Sequence, residues 1–257
     1  MLALTACASS DLPPSDWPPV DFEFEAEQLV LGSEGAQVER RMRVFADGMV
    51  VYGTAVDSLR QRVDPVVGPT ISLPVFDRLS VYRLVPNALR AFARRLDRLG
   101  IATMATRQGE SLEVECSVVV LRWRAFGAEN RILVQGGVGG PVAELLSAIS
   151  AHLPTGEQFT SLGREPRAVA PVLRGVPEPL VDRAAALQVH EALCEERADE
   201  QLLLDTFSLA CANGDRARAQ RWLARYGALT KPTAGTAAGS SEVRLDEPFL
   251  QRLLPPQ

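Results

Sequence analysis

The stretch Val38-Glu39-Arg40-Arg41-Met42-Arg43-Val44-Phe45-Ala46-Asp47-Gly48-Met49-Val50-Val51-Tyr52 decides how this chain is built. Val38, Arg40, Met42 and Val44 alternate with Glu39, Arg41, Arg43 and Phe45, the two-residue period of a strand. Met49 to Tyr52 is a second strand-like run, and Asp47-Gly48 between the two predicts an antiparallel hairpin. A type I′ turn is expected there, because its two central residues both need positive φ. Asp47 is read as a turn residue rather than a ligand or acid.

Working outward, Val20 to Ala26 alternates apolar and acidic residues and reads as a half-buried strand. Ser111 to Arg124 is the clearest strand: one face carries Leu112, Val114, Cys116, Val118 and Val120, and the other ends in Val119, Leu121 and Trp123. A strand apolar on both faces at one end belongs at the centre of a sheet, partly covered by a helix. Val81 to Val85 and Arg131 to Gln135 read as further strands. Residues 54–79 contain Pro65, Pro69 and Pro74 and are expected to form a loop with short extended pieces. Pro86-Asn87 opens a helix that ends at Gly100, with Leu89, Phe92, Leu96 and Leu99 inward and Arg90, Arg94 and Arg98 on a solvated face. Pro141 begins another, running to Leu153, with Val142, Leu145, Leu146 and Ile149 as its apolar side. The glycines at 136, 137, 139 and 140 before it match no phosphate-loop pattern and read as a connection.

The C-terminal part changes character. Residues 154–179 hold five prolines and read as a linker. Leu180 to Arg197, Asp199 to Asn213 and a third segment from Asp215 to Tyr226, stopped by Gly227, read as helices. Their inward residues are expected to be Leu187, His190 and Cys194, then Leu203, Phe207, Ala210 and Cys211, then Ala219, Trp222 and Leu223. Gly214-Asp215 with Ala219 and Leu223 is similar to the turn and second helix of a tetratricopeptide repeat, but no second copy follows. Residues 230–241 are rich in Thr, Ala, Gly and Ser, a linker composition. A short helix then carries Phe249, Leu250, Leu253 and Leu254 on one side, to be buried on the parent domain or in a partner's groove. The whole reads as α+β: an antiparallel sheet over residues 20–153 with one or two packed helices, then a small helical hairpin region over 180–229 and a tail from 230 to 257.

Composition excludes several classes. The 257 residues are 46% hydrophobic and 23% charged, a globular balance. No run approaches the roughly 18 apolar residues of a membrane span. The net charge of -5 gives no basic field for nucleic acid. Lys231 is the only lysine, so the abundance of arginine reads as codon bias rather than as phosphate recognition. His152 and His190 are isolated and are expected to be satisfied structural histidines; no metal or cofactor is expected. No nucleophile elbow, zinc-protease helix or P-loop is present, so no catalytic residues are named. Glu113 and Glu115 share one strand face, which gives no reason for a raised pKa. Cys194 and Cys211 would be offset by about 10 Å along antiparallel helices, beyond disulfide reach, and are expected to be buried thiols.

At the N-terminus, Leu4-Thr5-Ala6-Cys7 resembles the lipobox of bacterial lipoproteins. The resemblance implies that Cys7 is the lipidated first residue of the mature protein. Export would then need a charged and apolar leader of the usual length, and only six residues precede Cys7 here. Residues 8–19, rich in Ser, Asp and Pro, read as an extended tether. The order of elements also resembles uncharacterised bacterial envelope lipoproteins with an aromatic-x-Asp-Gly-x-Val-x-Tyr hairpin, followed by a tyrosine-bearing strand and a helix ending near a glycine. Phe45, Asp47, Gly48, Val50, Tyr52, Tyr82, Leu89 and Gly100 carry that resemblance. It implies a lipid-anchored address in the cell envelope, on the periplasmic or outer-membrane side, with the membrane and an envelope protein as partners and no known activity. The expected function is non-enzymatic binding or scaffolding. The alternatives are a cytosolic interaction module using the C-terminal helices, and an enzyme with an unrecognised site.

Overall fold

In chain order the strands and helices are β1 (Glu23–Gly32), β2 (Gly35–Phe45), β3 (Met49–Thr54), β4 (Asp57–Arg62), β5 (Thr70–Val75), β6 (Arg78–Arg83), α1 (Pro86–Arg98), β7 (Arg107–Gly109), β8 (Cys116–Ala125), β9 (Ala128–Gln135), α2 (Gly140–Ser150), α3 (Arg183–Glu196), α4 (Glu200–Ala212), α5 (Arg216–Thr230) and α6 (Glu247–Gln251). The computed structural model describes residues 18–32, 35–55, 57–62, 70–109, 116–136, 138–155, 157–159, 182–197, 199–230, 245 and 247–256. Seven strands form one sheet in the order β6-β3-β2-β1-β8-β9-β7. Every pairing in it is antiparallel except the three-residue parallel contact of β7 with β9. The fold is α+β, as the alternation predicts.

The sheet is covered on both faces. Phe24, Met42, Val44, Tyr52, Val119, Leu121 and Ile132 point to one side and share a core with Phe92 and Leu96 of α1 and Leu145 and Ile149 of α2. Phe45, Met49, Val51 and Leu79 point to the other and share a core with Leu187, Leu203, Phe207 and Trp222 of α3, α4 and α5. The C-terminal helices are thus a third layer on the sheet. α4 is buried at every position from Leu202 to Cys211, where one-sided burial is expected from sequence. A helix apolar around most of its girth belongs in an interior, and α4 lies between α3, α5 and β5. The expected linker at 154–179 is described only to residue 159, and there it is part of the fold. Phe159 enters the first core, and Glu157 accepts from Tyr52 Oη at 2.8 Å and from Arg40 at 3.0 Å.

Other expectations are corrected. Within 54–79 the short extended pieces are residues 57–62 and 70–75, and they pair into a two-stranded ribbon, β4 with β5, rather than standing as separate segments of a loop. Pro74 fits because it lies opposite Ser58 in a ribbon that has no further strand among the described residues, and its carbonyl accepts from Ser208 Oγ at 2.7 Å. The strand expected at Val81–Val85 begins three residues earlier and ends two earlier, as β6, with Val85 left as the N-cap of α1. Gly227 does not stop α5, which runs on to Thr230 with Gly227 buried. Burial of the flanking turn outweighs a glycine penalty of about 1 kcal/mol.

The turn at Asp47-Gly48 differs from the expected type I′ assignment. At Asp47-Gly48 only Gly48 has positive φ, +82°. Gly48 N–H donates to Phe45 O at 2.9 Å, and Asp47 Oδ1 accepts from Met49 N–H at 3.1 Å. This is a three-residue loop ending in a left-handed glycine, not a type I′ turn. The turn with two positive φ angles is Phe126-Gly127, at 55° and 70°, between the paired Ala125 and Ala128. Phe126 is the only non-glycine residue with positive φ among the described residues, a conformation that costs an L side chain about 1–2 kcal/mol. Asp21 supports it by accepting from the amides of Phe126 at 3.0 Å and Gly127 at 2.6 Å.

A Cβ on Gly48 would lie 2.7 Å from Leu84 O, which is fixed because Leu84 N–H donates to Gly48 O at 2.8 Å. Gly48→Ala is therefore expected to lower stability by about 1–3 kcal/mol, read as a shift in the urea midpoint.

Candidate functional site

The sequence puts charge where the middle of the sheet meets the third layer. Glu23, Glu25 and Glu27 alternate with Phe24 and Ala26, so all three face α4. The register sets Glu25 opposite Arg43 on β2 and Arg122 on β8, and Glu27 opposite Arg41. The acidic face of β1 is therefore interior, with Glu25 and Glu27 each 6% exposed, and not the solvent side of a half-buried strand.

α4 completes the layer from above. Asp199 caps the helix by accepting from Leu202 N–H at 2.9 Å, and it also accepts from Arg43 at 2.5 and 2.8 Å. Asp205 takes both its oxygens to Arg41 Nη1, at 2.8 and 2.7 Å, while Arg41 Nε donates to Glu27 at 2.6 Å. Arg43 further pairs with Glu23, and its Nε lies 3.3 Å from Glu25 Oε2 without hydrogen-bond alignment. Arg122 pairs with Glu25, and Arg124 with Glu23 at 2.5 Å. Phe76 and Phe45 lie under the Arg41 and Arg43 guanidiniums at 4.9 and 4.8 Å.

Burial, followed by the like charge of Glu27, raises the Glu25 carboxyl above its usual range despite Arg43, Arg41 and Arg122. Glu27 is buried too, but Arg41 and Arg122 hold its carboxyl below the usual range. Asp199 is lowered against burial by its bonds to Arg43. A buried carboxyl with a raised pKa beside a lowered one is the pattern of an acid–base pair. Here, however, the carboxylates are occupied by guanidiniums beneath a helix, and the arrangement fastens sheet to helices.

The other polar features are simpler. An open cleft of about 520 Å³ lies at the end of the sheet, lined by Pro18, Asp47, Arg83, Val85, Pro86 and Arg90 among others. Asp47 pairs there with Arg83, at 2.8 Å, and with Arg197. His152 lies edge-on to Phe92, 4.9 Å between centroids, and burial lowers its pKa to about 4. His190 is 1% exposed, and burial lowers its pKa as well. Neither is fully satisfied, contrary to expectation: His152 Nδ1 and both His190 nitrogens have no hydrogen-bond partner. Among the described residues no three metal-ligating side chains converge.

The residues singled out from sequence are not brought together. Cys7, Glu113 and Glu115 lie outside the described residues. Phe249 and Leu250 are buried in the second core, and Leu253 and Leu254 pack against it. Tyr226 Oη donates to Leu245 O at 3.3 Å, so the tail is bound to α5 of its own chain. Cys194 and Cys211 are free buried thiols, pushed up by burial to about 11 and about 12. The charged layer was missed, and the signal for it is parity. Glu23, Glu25 and Glu27, with Arg41, Arg43, Arg122 and Arg124, occupy one face of three strands that the register makes neighbours. Comparison of the chain with protein-family models and with curated proteins gives no match.

Two outcomes follow for stability. Arg41→Ala strands Asp205 without its counter-ion and leaves Glu27 only Arg122 at 3.7 Å, and is expected to cost about 3–5 kcal/mol in urea unfolding. Arg83→Ala removes a pair with an exposed guanidinium and is expected to cost less than about 1 kcal/mol.

The histidines set a pH dependence. Unfolded His152 takes up a proton at its ordinary 6.5, whereas folded His152 resists to about 4. Its contribution is therefore complete above 6.5 and lost as pH falls to about 4, by roughly 3 kcal/mol. His190 adds a loss of the same sign. Urea midpoints across this window are expected to fall less steeply in His152→Phe.

Proposed function

We propose that this protein is a lipid-tethered component of a bacterial cell envelope, with a binding or scaffolding role for another envelope component. The reading rests on Leu4-Thr5-Ala6-Cys7. A thioether-linked diacylglyceryl group contributes about 0.8 kcal/mol for each buried methylene.

The binding role, rather than catalysis, is supported by how the ionisable groups are used. The buried carboxylates whose acidity is shifted, Glu25, Glu27 and Asp199, hold layers together. A peptide-binding role for the C-terminal helices has less support, since α4 is buried along its length and the tail covers the second core.

The test is the mass of the native N-terminus together with detergent phase partition. Protein from its own host is expected to begin at an acylated Cys7 and to enter the detergent phase, and Cys7→Ser is expected to move it to the aqueous phase. An unmodified Cys7 thiol in protein that stays aqueous would overturn the reading.

A further inference from the structure

His190 sits against the second core with nothing to hold. It lies on the inner face of α3, one turn from Ala186, Leu187, Leu193 and Cys194, and is 1% exposed. Neither ring nitrogen has a hydrogen-bond partner, although buried polar side chains are ordinarily paired. A neutral imidazole can be kept in such a place. An imidazolium carries two N–H donors and a charge, and needs acceptors.

The charges that act on the ring are Asp205 of α4, which favours a proton there, and Arg41 of β2, which opposes it. Asp205 is already occupied: Oδ1 accepts from Arg41 at 2.8 Å and from Gln201 at 3.0 Å, and Oδ2 accepts from Arg41 at 2.7 Å. Thr206 Oγ1 donates to Leu202 O at 2.6 Å and lies 3.1 Å from Cys194 Sγ. From α5, Arg218, Arg221 and Arg225 pair with Glu191 and Glu195 of α3. From β6, Arg83 pairs with Asp47, and Arg78 is exposed. Burial prevails over Asp205, and the folded ring resists protonation below its ordinary 6.5.

The fastening of α3 differs from that of α4. Among the described residues, the buried pairs of Arg41 and Arg43 join the sheet to Asp199 and Asp205, and none includes a residue of α3. The pairs that α3 does make, through Arg183, Glu191, Glu195 and Glu196, each use a guanidinium more than a third exposed. Pairs of that kind contribute little. Apolar contact is therefore the main hold on α3, and the charged layer stays whole without it.

We propose that α3 is an acid-released element: a proton taken from solvent onto the His190 ring frees α3 from its seat against α4 and β6, while α4 stays fastened to the sheet. Release uncovers Leu187, Leu193 and the Cys194 thiol, so an apolar surface is presented in acid and closed at neutral pH. Below 6.5 the released ring is protonated and the docked ring is not, so release is favoured about tenfold more for each pH unit. Glu25, whose carboxyl is raised by burial, binds a proton more readily in the folded chain and acts in the opposite sense. His152 packs on Phe92 in the first core and bears on global unfolding.

The experiment is amide hydrogen exchange of the full chain between about pH 7.5 and about pH 5, read as protection factors. Protection over residues 187–193 is expected to fall about tenfold per pH unit below 6.5 and to stay below that of β1 and β8 throughout. His152→Phe is expected to keep this slope. His190→Leu and His190→Gln, neither of which can take the proton, are each expected to abolish it. In the native chain, reaction of Cys194 with 4,4′-dithiodipyridine, located by peptide mass, is expected to quicken with the same slope. Protection of α3 equal to that of β8 at every pH would overturn the proposal, since α3 would then leave only when the whole chain unfolds. So would α3 protection that does not change with pH, or a slope that survives in whichever His190 variant folds.

Discussion

Two arginines hold this molecule's layers in register. Arg41 and Arg43 are two residues apart on β2, so both point away from the first core and into the space between sheet and α4. Each is met by a glutamate from β1 and an aspartate from α4. An ion removed from water is costly unless its attraction and hydrogen bonds are well placed. Here the geometry supplies both: burial pulls the two arginines down, yet the surrounding carboxylates outweigh it and raise both above their ordinary pKa. The pairs specify which turn of α4 lies over which rung of the sheet, a selectivity that apolar contacts alone supply poorly.

The rest of the fold follows from that registration. With Asp199 and Asp205 placed, Phe207 and Leu203 fall onto Phe45, Met49 and Val51, and α3 and α5 pack on either side. Asp199 has two duties, since the same carboxylate caps α4 and pairs with Arg43. Where α4 begins is thereby coupled to where the helical layer docks. On the opposite face the packing is almost wholly apolar, and Tyr52 and Tyr82 send their hydroxyls to its rim, Tyr52 to Glu157 and Tyr82 to the His152 carbonyl.

Much of this was legible in the residues. Period-two alternation located β1, β2 and β8, runs of apolar residues beside turns located β3 and β9, and the helix of Leu89, Phe92 and Leu96 ended at Gly100 as predicted. What stayed hidden was long-range. Acidic alternation in β1 looks like a solvent face until β2 and β8 bring arginines to the same side, and that pairing joins residues about a hundred positions apart. Pro74 reads as a strand breaker because the lack of a further strand beside β5 cannot be seen locally. Asp-Gly reads as type I′ because the closeness of Gly48 to the Leu84 carbonyl is a tertiary fact. The apolar tail was visible, but the helices it covers were not.

The position of β1 has a consequence for synthesis. It is the strand nearest the N-terminus and also the one between β2 and β8, so half of its ladder waits for residues 116–125. Arg41 and Arg43 wait longer, for α4. Contacts closed across so much chain make for slow folding, and a nascent polypeptide would expose the apolar edge of an unfinished sheet until it is nearly complete. Such a protein leans on being held apart from its neighbours while it emerges.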